Sequence, residues 1–291
     1  MTNNLIKTVL ILPFLMLLLC CQGTNDYVEY EKQIFLFAYL KGNHYLTRDQ
    51  AVWLSYSQPL FEKYDARQAA ISGANIVLTD STTAESWSLS EDSTRKGFYF
   101  NKQILIKPRH TYQIHITIGD NIVTASTKVP PILEINTSLN EKVKNHVEID
   151  SIRSRYPLIL GCSKPDQLIL IDLFCLESYN NAEYINPFGD QKYPKDEEEY
   201  DGGVDGQPRH IRAIAPLNAL TSLGASNQYV IDWYSALIAF YGNYRLSIYA
   251  LDENYNQFIS AENPVYSGGV KGGLGVFASM TGKQYLLFVE K

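Results

Sequence analysis

The run of short apolar stretches between Gln33 and Val129 constrains this chain more than any other feature. QIFLFAYL, AVWLSYS, ANIVLTD, ESWSLS, FYFNKQILI, YQIHITI and NIVTASTKV are each of strand length and rich in β-branched and aromatic residues, and most of them alternate. A period of two sends successive side chains to opposite faces, so such strands bury one face against a second sheet. Gly119-Asp120 separates two of the runs as a tight hairpin turn does. The series stops at Val129-Pro130-Pro131, because proline cannot donate to a ladder. The expectation is an immunoglobulin-like β-sandwich over residues 31–132.

A β-rich second domain over residues 133–291 is expected to follow. YPLILGCSKPDQLILIDLFC reads as two strands joined by the Ser163-Lys164-Pro165-Asp166 turn. In that hairpin Cys162 would lie near Gln167, leaving Cys175 roughly 26 Å along the strand, well beyond the Cα separation of about 4.4–6.8 Å that a disulfide tolerates. No pairing within the hairpin is expected. Residues 177–208 form a long insertion with little apolar content, a functional or mobile loop. HIRAIAPL and YVIDWYSALIAFYG read as further ordered segments. Beyond Gly242, Tyr244, Ile248, Leu251, Tyr255 and Phe258 fall at three- and four-residue steps, which predicts a helix packed on the sheet, with a strand from Tyr244 as the competing reading. YLLFVE predicts a closing strand. The fold class expected is therefore mainly β with one packed helix.

The N-terminus carries export chemistry. Lys7 precedes an apolar run from Thr8 to Leu19 that ends at Cys20 and Cys21. A membrane-spanning helix needs about 20 apolar residues, and this run of about a dozen has the proportions of a signal-peptide core. Its end resembles a bacterial lipobox, with cleavage before an acylated cysteine. Cys21 fits better than Cys20, because the small Cys20 then precedes the cut where Leu19 otherwise would. Residues 1–20 are thus expected to be a lipoprotein signal peptide and 21–30 a tether, with acyl chains on Cys21 holding the chain on a membrane. The formal net charge is −6, and no stretch clusters Lys or Arg with interleaved aromatics, so nucleic acid is not an expected partner. The 21 tyrosines suit half-buried strand faces and also ligand surfaces.

Motifs of catalysis do not emerge. Five of the eight residues from Gly268 to Gly275 are glycine, but no lysine-hydroxyl pair follows at phosphate-loop spacing. Gly273-Leu274-Gly275-Val276-Phe277-Ala278 matches a dinucleotide pattern alone, outside any βαβ unit. The acidic run Asp196 to Glu199, with Asp201 and Asp205, lacks the order of a calcium loop and reads as a solvated segment. His44, His110, His115, His146 and His210 are scattered, and Cys162 and Cys175 have no histidine near in sequence. Asp172 and Asp232 sit within apolar runs, which suits a hydrolase only if they meet across the sheet; pairing with an arginine such as Arg153 or Arg245 is the simpler reading. No catalytic residue, metal ligand or cofactor is expected. Asp80-Ser81-Thr82, Asp92-Ser93-Thr94 and Asp150-Ser151-Ile152 are similar to the O-glycosylation pattern of exported Bacteroidota proteins.

NPVYSGGVKGGLGVFAS resembles the C-terminal signature of domain-of-unknown-function family 4249, a group of Bacteroidota outer-membrane lipoproteins. The lipobox, ISGANIVLTDS, the TYQIHITIGDNIVTASTKVPP hairpin, YNNAEYI and the acidic loop fall in the family's order. Where the family commonly has Ser-Asn-Ile before the glycines, this chain has Ser267-Gly268-Gly269-Val270. Gly272, Gly273 and Gly275 are read as a structural turn needing positive φ or close backbone approach, with Phe277 anchoring it. The resemblance implies an accessory or ligand-binding lipoprotein of the outer membrane, beside a TonB-dependent nutrient receptor and without enzymatic activity. Tyr179, Tyr184, Tyr193 and Tyr200 in the insertion are the expected contact surface. A structural or adhesive surface protein is the alternative, and a hydrolase the more distant one. Gln22 to Asp26 offer one acid after the lipidated cysteine, which leaves the membrane leaflet open.

Overall fold

The alternating runs become strands close to where their pattern places them. In the computed structural model, which describes residues 30–59, 62–177, 183–185, 210–224, 227–231 and 234–291, the first half forms β1 (Ile34–Lys41), β2 (Val52–Tyr56), β3 (Asn75–Asp80), β4 (Glu85–Asp92), β5 (Arg95–Leu105), β6 (Thr111–Ile118) and β7 (Asn121–Lys128). β1 shows the reason plainly: Ile34, Leu36, Ala38 and Leu40 are buried on one face while Phe35, Phe37 and Tyr39 stand half-buried on the other. β1, β2 and β5 form one layer, and β4, β3, β6 and β7 the other, with β4 and β5 continuing the ladder between them. Leu36, Leu54, Leu78, Ile114, Ile116 and Val123 fill the space between. This is an immunoglobulin-like sandwich. Gly119 adopts φ +56° in the two-residue turn that joins Ile118 to Asn121.

The second half contributes β8 (Glu134–Asn136), β9 (Lys144–Glu148), β10 (Leu158–Gly161), β11 (Leu168–Cys175), β12 (His210–Pro216), β13 (Gln228–Ile231), β14 (Phe240–Leu251), α1 (Glu253–Ser260), β15 (Val270–Lys271) and β16 (Leu274–Glu290). β16 is the spine of the molecule. Its first residues pair in parallel with β1, from Leu274 opposite Phe35 to Met280 opposite Lys41. Its later residues pair antiparallel with β14, and its end also pairs with β9. The main sheet accordingly runs β12-β11-β14-β16-β1-β2-β5-β4-β3-β6-β7-β15. A second core packs Ile169, Ile171, Leu246, Ile248 and Leu287 of this sheet with Leu158, Leu160 and Ile231 of the small sheet that holds β13, β10 and β8. Residues Gln33–Lys291 make one compact unit.

Two expectations are corrected here. The helix expected from Tyr244 begins only at Glu253, and Tyr244 lies in β14. The strand is flanked by β11 and β16 and buried on both faces from Leu246 to Leu251, so its period of two is masked by a run in which Ser247 is the one polar residue. Asp252 makes the switch: its backbone is extended and its carboxylate accepts from the Tyr255 amide at 3.0 Å, a helix N-cap. The predicted hairpin of β10 with β11 is also absent. β11 lies between β14 and β12, whereas β10 pairs with β13 and β8. Gln167 turns the chain from one sheet to the other, its Nε2 donating to the Leu251 carbonyl at 2.6 Å. Cys162 and Cys175 are both buried and both free thiols.

Candidate functional site

The glycine stretch lies at the entry to β16. Gly272 and Gly275 adopt φ +77° and +108°, and a Cβ there would run into the carbonyl oxygens of Ile122 and Leu36 respectively. At Gly273 a Cβ would come within 2.7 Å of the Ile34 carbonyl oxygen. Phe277 is fully buried in the sandwich core, and its amide donates to the Gly268 carbonyl at 3.0 Å. These residues therefore bring β16 against β1 and the start of β7. The chain beyond them enters a strand and not a helix.

Asp172 lies on β11 opposite Arg212 of β12. Its Oδ1 is 2.5 Å from Nε2 of His210 and 3.3 Å from Nε of Arg212. The arginine it meets is thus Arg212 and not Arg245. Arg245 instead stacks over the Phe174 ring, 4.9 Å from its centroid. Asp232, Cys20, Cys21, Tyr179, Tyr193, Tyr200 and the acidic run at 196–205 lie outside the described residues; the Tyr184 backbone pairs with Phe240 in a two-residue ladder. Ser81, Thr82, Ser93 and Thr94 are exposed at the turns after Asp80 and Asp92, and those two carboxylates are anchored by His110 and Arg48. Among the described residues no three His, Cys, Asp or Glu side chains gather as a metal site.

The clearest concavity is a cleft of about 600 Å³ between the two cores. The sandwich contributes Arg109, Lys128 and Pro131; the second half contributes Lys164, Asp166 and Asp252. Arg109 spans the junction, its Nη2 donating to Ser163 Oγ at 3.1 Å. Asp252 is 7% exposed. Burial pushes its carboxyl up from 3.8 to about 6, partly offset by the Thr127 hydroxyl and the Tyr255 amide that donate to it. Thr127 Oγ1 lies 2.5 Å from Asp252 Oδ2 and 2.6 Å from Ser279 Oγ. Since the single Thr127 proton goes to the carboxylate, Ser279 donates to Thr127. The chain Ser279, Thr127, Asp252 ties β16, β7 and the start of α1 together under the cleft. Sequence reasoning missed Thr127, Ser279 and the cleft, although an aspartate before an amphipathic turn is a legible capping signal.

The architecture defines a mainly β protein with an immunoglobulin-like sandwich, a second β core and one packed helix. The chain belongs to the family described as Domain of unknown function (DUF4249), whose model matches residues 29–285. No curated protein matches the chain. Among solved structures, the chicken interferon gamma receptor alpha chain is similar at 8% identity and TM-score 0.21, covering 90% of this chain and 99% of that one. The chicken CNTN1 FN1-FN3 domains are similar at 12% identity and TM-score 0.17, covering 84% and 67%. A bacterial ice-binding adhesin is similar at 7% identity and TM-score 0.18, covering 89% and 65%. Likenesses at these scores carry no inference about what the chain binds.

Proposed function

We propose that this chain is an outer-membrane lipoprotein, anchored by acyl chains on Cys21, that holds a ligand without chemically altering it and serves as an accessory to a TonB-dependent nutrient receptor. The observation that carries the binding role is the cleft between the two cores. It is ligand-sized, lined by both halves, and presents Arg109, Lys128 and Lys164 against Asp166 and Asp252 over an apolar floor. The lipobox-like Leu18-Leu19-Cys20-Cys21 supports the anchor, and the order of segments shared with the family supports the receptor partnership.

The test is an affinity pull-down of the tagged, acylated protein from gently solubilised native outer membrane, with mass spectrometry of the co-purifying proteins. A stoichiometric TonB-dependent receptor is the expected result. Recovery of the lipoprotein alone under conditions that preserve known receptor complexes refutes the accessory role and brings the adhesive reading forward.

A further inference from the structure

The cleft between the two cores carries charges of both signs that the fold leaves unpaired. From the sandwich come Arg109 and Lys128, both exposed and, among the described residues, both without an ion-pair partner. The Arg109 guanidinium donates to the neutral Ser163 hydroxyl. From the second half come Asp252 and Glu253 at the start of α1, and no cation of the described residues pairs with either. Asp252 accepts from the Thr127 hydroxyl and the Tyr255 amide, and Glu253 from the Gln257 side chain. Lys164 and Asp166, the other charged residues of the lining, face each other at 3.9 Å.

Two of these residues stand where another residue would serve the fold better. Arg109 follows Pro108 in the turn that the His110 amide closes on the Lys107 carbonyl, and its φ is +67°. A left-handed backbone at the third position of a tight turn favours glycine or asparagine over arginine. The turn is fastened beside Lys128 by the Arg109 amide on the Val129 carbonyl and the Val129 amide on the His110 carbonyl, both at 2.9 Å. Asp252 caps α1, yet serine or asparagine caps a helix as well without burying a charge. Burial disfavours its ionised form, and no counter-ion relieves it. A strained arginine and a buried, uncompensated carboxylate in one cleft are costs that the fold does not require, and a ligand that meets both accounts for them.

The lining selects the class of ligand by exclusion. A neutral sugar leaves both sets of charges unmet, a dicarboxylate or phosphate meets Asp252 and Glu253 with like charge, and a polyamine does the same to Arg109 and Lys128. A zwitterion satisfies both. Each Asp252 carboxylate oxygen accepts one hydrogen bond and has a lone pair for another. Val129, Leu168 and Leu251 add apolar lining, and about 600 Å³ is more than one amino acid fills while within the range of small-molecule sites. We propose that the cleft takes a short peptide with free ends, its terminal carboxylate held by Arg109 and Lys128, its terminal ammonium by Asp252 and Glu253, and its side chains on the apolar lining. This rests on the cleft being the ligand site and adds what the ligand is.

Equilibrium dialysis of the full acylated chain in detergent against a degenerate tetrapeptide pool with free ends selects its tightest member, which is then measured free, N-acetylated and C-amidated. The free form is expected to bind, and each block to weaken it by about tenfold or more, as loss of a charge-assisted contact does. Arg109→Gly suits the positive φ and so keeps the turn; it should weaken the free form by about tenfold and the C-amidated form by far less. Asp252→Asn/Glu253→Gln should weaken the free form similarly and the N-acetylated form by far less. Glu253→Gln alone, at an exposed position, reads the same end if the double variant fails to fold. Succinate and maltotriose are measured beside the peptides. The proposal is overturned if no peptide binds, if the blocked forms bind as tightly as the free one, or if Arg109→Gly weakens the free and C-amidated forms alike. Binding of succinate or maltotriose that Lys128→Ala weakens, without binding of any peptide, overturns the peptide and keeps the cleft as a ligand site; no binding by any probe removes both.

Discussion

Asp252→Asn tests whether the buried carboxylate between β7, β16 and α1 is a burden or a support. The unfolded chain keeps this carboxyl near its ordinary 3.8, whereas the folded chain holds it near 6. Between those values the folded state binds the extra proton, so stability falls as pH rises from about 4 to about 6 and stays lower above. A shift of about two units corresponds to about 3 kcal/mol, the penalty carried at neutral pH by burying the ionised group. Asparagine caps a helix as well as aspartate does, so the Tyr255 amide keeps its acceptor. The new amide nitrogen would donate to Thr127 Oγ1, whose hydroxyl turns to Ser279; the Ser279 proton then loses that acceptor, as it also does when Asp252 itself is protonated, so the comparison with the protonated native chain is unaltered. Loss of an anion at the helix N-terminus offsets the gain by about 0.3–1 kcal/mol. The variant should therefore be more stable than the native chain at pH 8 by about 2 kcal/mol, with the difference vanishing below about pH 4. Urea unfolding at pH 4, 5, 6 and 8 reads both quantities. A variant that is less stable at pH 8, with the native slope between pH 4 and 6 retained, refutes the reasoning.

Gly275→Ala should lower stability by at least about 2 kcal/mol, because φ +108° and the Leu36 carbonyl both oppose a Cβ; an unchanged urea midpoint would show that β16 does not need the close approach. Tyr99→Phe removes a buried hydroxyl that donates to the Ile71 carbonyl at 2.8 Å and accepts from the Ala74 amide at 3.1 Å, and should cost about 1–3 kcal/mol in the same assay; a loss below about 0.5 kcal/mol would mean that the two backbone groups find other partners. Intact mass spectrometry of the native protein should exceed the acylated polypeptide by whole glycan masses if the exposed Ser81-Thr82 and Ser93-Thr94 turns are modified, and a mass equal to the acylated chain alone rejects that expectation.

Legibility in the sequence follows burial. The sandwich strands face a core on one side, so their alternation survives in the residue order, as in β1 and β6. β14 is closed in by neighbours on both edges and covered on both faces over its second half, and there Tyr244, Ile248 and Leu251 fit a helical period as readily as a strand. The cleft was hidden for a different reason: Arg109, Lys164 and Asp252 stand far apart in the chain and meet only after its two halves have docked. Lys41 likewise reaches the Tyr249 ring only because β1 lies parallel to β16 in one particular register. A slip of one residue would turn Phe277 out of the sandwich core and reverse which β16 side chains meet Lys41 and α1. Gly273 and Gly275 oppose that slip, since they are the positions at which β16 comes closest to the carbonyls of Ile34 and Leu36. The glycine signature is thus a local motif with a long-range meaning: it sets the register of the first strand against the last, in the strand that also carries Ser279 to Thr127 beside the buried Asp252.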